Sequence, residues 1–207
     1  MDLSARRSGS SMLGGDAWAL TRRLNPRNTV RTMRRDAYGR LDENAYPTAF
    51  QVSAVAPSAP WAIYLADDAG AFRLLCFDFD GKDSQGIDAD LMEQAADDCD
   101  ALSAVLDVHQ VAHLVCQSSG TGGRHLWIAL AEGAPAELVA RLAIAARANY
   151  RTLDHGMLCN PRTGAARPPL SPHRDGSFSS VLRGRAEELL DATVTAAAIE
   201  AVTTALQ

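Results

Sequence analysis

Apolar and polar positions alternate between two periods along the chain. Trp61 to Ala66 is a short apolar run, Phe72 to Asp80 is a second, and the turn residues Asp67-Asp68-Ala69-Gly70 lie between them. The pair therefore predicts a β-hairpin. From Ile87 to Asp107 the period changes: Ile87, Leu91, Ala95, Leu102 and Leu106 recur at helical spacing, with Met92 and Cys99 beside them. Asp90 and Glu93 form a capping-box-like pair near the start of that helix. His113–Gln117 predicts a strand, Ser118–Gly123 a glycine-rich turn and Arg124–Ala131 another strand. Pro135 opens a helix running to about Asn149. An irregular segment to Arg174, a short strand near Ser177–Leu182 and a helix near 194–206 follow. Before Trp61, residues 1–12 are expected to be disordered. Residues 16–40 predict one or two Arg-rich helices interrupted at Asn25-Pro26, and 41–60 an irregular or β-rich stretch. This order predicts an α+β fold with a mostly antiparallel sheet covered by helices.

Composition narrows the classes. The 207 residues are 47% apolar, enough for a sizeable core, and no apolar run approaches the roughly 20 residues that span a bilayer. The start of the chain lacks the apolar stretch of a secretory signal. Cys76, Cys99, Cys116 and Cys159 form no C-x-x-C pair, so neither zinc nor a disulfide framework is expected, and a reducing cytoplasm is the natural setting. The net charge of −5 is unevenly distributed. Residues 1–40 carry nine Arg against three Asp, 78–107 ten acids against one Lys, and 150–185 six Arg against two Asp. An acidic centre between basic flanks suits a metal site that meets a polyanion. Most of the acids over 83–107 are expected on a solvated helix face.

Three segments carry candidate chemistry. In Cys76-Phe77-Asp78-Phe79-Asp80-Gly81, two carboxylates two apart at a strand end share one face and can converge on divalent cations. Taken alone, the same residues also fit two acids in a turn. In Ser118-Ser119-Gly120-Thr121-Gly122-Gly123-Arg124-His125, a glycine-rich turn offers N–H groups for anionic oxygens, with hydroxyls from Ser119 and Thr121. Taken alone, it also fits a surface hairpin. In Arg167-Pro168-Pro169-Leu170-Ser171-Pro172-His173-Arg174, three prolines stiffen a basic loop suited to phosphate contact, or simply a surface proline loop.

In this order and spacing the three segments resemble the archaeo-eukaryotic primase superfamily, especially the primase-polymerases of phages, plasmids and mobile elements. Asp78-x-Asp80 resembles the family's first motif, and Ser119 through His125 its second. Leu153-Asp154 is similar to its third, and Arg167 with Pro169-Leu170-Ser171-Pro172-His173 fits the basic residue and Pro-x-Ser-x-His element that follow. The resemblance covers about residues 60–182. It implies an RRM-like sheet joined to a second small α/β unit, and template-directed nucleotide transfer by primase activity, polymerase activity or both. It implies Asp78, Asp80 and Asp154 as catalytic ligands of two Mg²⁺ or Mn²⁺ ions. It implies that Ser119, Gly120, Arg124, His125, Arg167, Ser171 and His173 bind the incoming nucleotide. Asp107 and Asp175 compete with Asp154 for the third acid. Asp107 would oppose a helix dipole and Asp175 lies in an Asp-Gly turn.

Expected partners are a single-stranded or primed DNA template, NTP or dNTP substrates and a helicase, with no membrane. The expected organisation is an Arg-rich segment over 1–40 that adds DNA affinity, a catalytic core over 41–190 and a C-terminal helix over 191–207. The chain stops within a helical pattern, which fits a domain excised from a longer replicase as well as a chain that ends there. Two other readings compete. Phe77-Asp78-Phe79-Asp80-Gly81 also opens haloacid-dehalogenase-like phosphatases, but Lys82 stands where that family has Thr or Val. It is also the chain's single lysine against 19 Arg, which leaves no separate motif lysine downstream. A replication-initiator DNA-binding domain that has lost catalysis is the non-enzymatic reading, and an intact set of three acids argues against it.

Overall fold

A computed structural model describes residues 16–41, 45–83, 86–120 and 122–207. The expected disorder over 1–12 and the Thr121 hydroxyl lie outside them. A helix described over 16–24 (α1) leads into β1 (Thr29–Thr32), β2 (Thr48–Gln51), β3 (Trp61–Tyr64) and β4 (Phe72–Phe79). The short strands β5 (Lys82–Asp83) and β6 (Gly86–Ile87) pair with each other. Next come α2 (Ala89–Val108), β7 (Leu114–Gln117), β8 (Arg124–Ala134), α3 (Ala136–Asn149), β9 (Leu153–Asp154) and β10 (Ala165–Ala166). β11 (Ser180–Arg183) and α4 (Ala196–Leu206) complete the order.

The strands form two larger sheets, β10-β3-β1-β2 and β11-β7-β8-β4-β9, and every paired neighbour is antiparallel. The α+β expectation holds, but the predicted hairpin does not. Its turn forms: the Asp67 carboxylate accepts from the N–H groups of Ala69 and Ala71, and Gly70 takes a φ of 86°. Beyond the Ala66–Phe72 bridge the two strands diverge, β3 into the first sheet and β4 into the second. Turn chemistry fixes a reversal but not which neighbour a strand then takes.

β4 and β8 are buried on both faces, which explains why they read as nearly continuous apolar runs. α2 lies on the face that presents Arg124, with Ala95, Cys99, Leu102 and Leu106 buried. Its N-cap is Asp88, which accepts from the N–H groups of Asp90 and Leu91, so the capping pair expected at Asp90 and Glu93 is displaced. The other face of β4 and β8, bearing Asp78 and His125, looks toward β3 and β10 of the first sheet.

Packing is continuous across residues 40 and 190. Ala17, Trp18, Leu20, Leu24 and Val30 belong to the same core as β4 and β8. Trp61 donates its indole N–H to Thr21 Oγ1 at 2.9 Å. α4 packs on α3, where Arg141 makes a bidentate pair with Glu200 at 3.0 and 2.6 Å.

Candidate active site

A cavity of about 320 Å³ lies between the two sheets. β4 brings Asp78 and Asp80 to it, β8 brings His125, and the glycine-rich turn brings Ser118 and Ser119. The first sheet contributes Ala62, Ala165 and Ala166, while Arg167, His173 and Arg174 enter from the chain after β10. Six of the ten residues expected at the site thus meet in one place: Asp78, Asp80, Ser119, His125, Arg167 and His173.

Strand register explains the acidic side. Asp78 on β4 is directly opposite both His125 on β8 and Asp154 on β9. Directly opposed residues on antiparallel strands share a face, about 5 Å apart at Cβ. His125 Nε2 lies 3.4 Å from Asp78 Oδ1, and its Nδ1 is buried with no hydrogen-bond partner. Asp154 is exposed, and its Oδ1 accepts from the N–H of Gly156 at 2.9 Å. The two competing acids already have side-chain partners. Asp107 accepts from Arg183 at 2.7 and 2.9 Å, and Asp175 accepts from Ser177.

The basic side is held by the turn and by the proline loop. Arg167 is buried, donates through Nη2 to the carbonyl of Ser118, and keeps Nη1 buried without a partner. His173 Nδ1 lies 2.9 Å from Asp175 Oδ1. Burial holds the His173 pKa below the ordinary imidazole range; Asp175 opposes this, and Arg167 and Arg174 add to it. Burial alone would raise the Asp175 carboxyl, but hydrogen bonds from Ser177 and His173 outweigh it and draw the pKa down to about 2.

The other expected residues lie away from the cavity. Arg124 is one position from His125 on β8 and therefore faces α2, donating to the Gly122 carbonyl. Gly120 spends its N–H on Ser177 Oγ. Ser171 is fully buried and closes a turn by donating to the Pro168 carbonyl at 2.6 Å. Sequence reasoning missed Tyr46, which borders the cavity with its hydroxyl buried and unpartnered. The only local signal was an aromatic residue before Pro47, too common a pair to single out.

Hard oxygen donors on one side suit Mg²⁺ or Mn²⁺. Among the described residues no group of three or more His, Cys, Asp and Glu side chains closes into a metal cage. Mg²⁺ is commonly held by one or two carboxylates and completed by water and substrate phosphates. Buried polar atoms on Tyr46, His125 and Arg167 that find no protein partner are what a ligand-binding cavity leaves open.

No family model matches the sequence, and no curated protein matches it. Solved structures do. The polymerase domain of Mycobacterium tuberculosis Ligase D, solved in complex with DNA, superposes with a TM-score of 0.54 at 15% identity, covering 93% of this chain and 86% of its own. The chain carries the primase-polymerase fold. The catalytic domain of primase RepB', in complex with initiator DNA, gives the same TM-score and identity, with 93% of each chain covered. A second structure of primase RepB' is matched over 62% of its length. Within this fold, no helix among the described residues is long and apolar enough to cross a membrane.

Proposed function

We propose that this chain catalyses template-directed nucleotidyl transfer, as a DNA primase, a DNA polymerase or both, in replication of the phage or mobile-element type. The observation that carries the proposal is one cavity joining paired carboxylates to Arg and His side chains whose buried polar atoms have no protein partner. Asp78 and Asp80, with Asp154 opposite Asp78, are the residues that would hold divalent ions. Bound there, such ions neutralise charge on the attacking 3′-oxygen and the departing pyrophosphate. Arg167 and Arg174 supply fixed positive charge for the triphosphate, and Ser119 a hydroxyl. His173, with its lowered pKa, offers a neutral ring to hydrogen-bond the substrate. His125 bridges the two halves, one nitrogen toward Asp78 and the other toward no protein group.

The test is incubation with a primed and an unprimed template, all eight nucleotides, and Mg²⁺ or Mn²⁺. Metal-dependent incorporation is expected. Asp78→Asn combined with Asp80→Asn should lower it by about 100-fold or more while the far-ultraviolet spectrum is unchanged. Comparable synthesis by the double variant would overturn the assignment.

A further inference from the structure

Asp98 departs from the solvated acids around it on α2. Only 6% of its surface is exposed, and among the described residues no cation pairs with it. Its two oxygens serve three neutral donors. Oδ1 accepts from Gln94 Nε2 at 2.7 Å, and Oδ2 accepts from both the N–H and the Oγ1 of Thr152 at 2.8 Å each. Thr152 is itself buried and sits between the acidic segments: its carbonyl accepts from the N–H of Asp80 at 3.0 Å, and it precedes Asp154 by two residues. A chain of hydrogen bonds therefore runs from α2 through Thr152 to the backbone of Asp80 and the start of β9.

We propose that Asp98 is a positioning residue that sets the spacing of Asp78, Asp80 and Asp154 for divalent metal. The inference rests on the proposed nucleotidyl-transfer site. Among the described residues β9 is two residues long and pairs with β4 alone, its Leu153 anchored in the core, so the Thr152 bonds fix the chain where it enters that strand. A buried, unpaired carboxylate is costly unless its lone pairs are filled, and Thr152 fills two of them. Groups that orient metal ligands without touching the metal commonly change affinity about 10-fold when removed.

The experiment is Mn²⁺ titration of the nucleotide-free protein, following free Mn²⁺ by electron paramagnetic resonance. Nucleotide affinity without metal and the circular dichroism spectrum are measured in parallel. Asp98→Ala should weaken Mn²⁺ binding about 10-fold with metal-free nucleotide affinity unchanged. Thr152→Val, which keeps the N–H bond and loses the hydroxyl bond, should weaken it about 3-fold. Asp98→Asn can still accept both Thr152 bonds while Gln94 turns its amide, and should stay within about 2-fold of the parent. Parent-like Mn²⁺ affinity in a folded Asp98→Ala, or in Thr152→Val where Asp98→Ala does not fold, overturns the inference. So does an Asp98→Asn as weak as Asp98→Ala, because charge rather than hydrogen bonding would then be acting. A parent that binds no Mn²⁺ fells the proposed function and this inference with it.

Discussion

The Tyr46 hydroxyl is buried without a partner and borders the same cavity as Asp78 and Asp80. Burial pushes its pKa up to about 12 despite the pull of Arg167 and Arg174, so it remains a phenol and a donor throughout the neutral range. Tyr46→Phe should therefore weaken nucleotide binding about 5-fold, the value of one hydrogen bond of about 1 kcal/mol, with Mn²⁺ affinity unchanged. Calorimetric titration of both ligands checks this, and an unchanged nucleotide affinity removes Tyr46 from the site. At this scale the sequence was legible where a motif carried its own geometry. Asp78 near the end of β4 and Asp80 just past it lie two apart and reach one cavity. Arg124 was misjudged because adjacency to His125 places it on the opposite face of β8.

Among elements, the segment from Arg167 to Phe178 couples the site to pH. Pro172 bridges Phe178, and His173 and Asp175 face each other inside the turn. Folding favours neutral His173, so its contribution to stability is full above the ordinary imidazole value and is lost as pH falls through the lowered folded one. Folding favours ionised Asp175, so its contribution is full above the ordinary carboxylate value and is lost as pH falls toward about 2. In urea unfolding followed against pH, His173→Gln should flatten the decline that sets in below the ordinary imidazole value of about 6.5, and Asp175→Asn that between about 4 and 2. Slopes identical to the parent would show that these groups do not titrate with folding. The helices α2, α3 and α4 were legible because one face of each carries the apolar period. The two-residue strands β9 and β10 were not, since they hold too few residues to show any period.

For the whole molecule, two arginines of the Arg-rich beginning, Arg27 and Arg31, are tied into the fold, while Arg22, Arg23 and Arg34 are exposed. Arg27 donates to the carbonyls of Ala66, Arg162 and Pro161 at 2.8, 3.0 and 2.7 Å and lies 4.0 Å from the centre of the Tyr64 ring. Arg31 donates to the carbonyls of Tyr46 and Thr163 at 2.7 and 2.9 Å. These two side chains tie the first sheet to the turn that precedes β10 and Arg167. Arg27→Ala should lower the unfolding free energy by about 2 kcal/mol in chemical denaturation. Deletion through residue 40 should unfold the protein rather than merely weaken DNA binding, because it strips Trp18, Leu20, Leu24 and Val30 from the core. A truncated chain that still unfolds cooperatively would restore the reading of a separable DNA-binding arm.

The sequence by itself determined what depends on neighbours along the chain. The apolar periods specified α2, β7, β8 and α3, the turn residues marked the reversals, and the short motifs placed two carboxylates at a strand end and a histidine at the next strand's start. Side-chain alternation and helix periodicity are local properties, so one chain segment suffices to read them. Tertiary structure decided which strands became neighbours. It parted β3 from β4 into different sheets, laid β9 across from Asp78 and brought β10 to β3, so that Arg167 faces the acids from the opposite wall. It also turned Tyr46 toward the cavity and buried Asp98 against Thr152. Pairing and burial of this kind depend on competition among all the surfaces of the chain at once, which no single segment records.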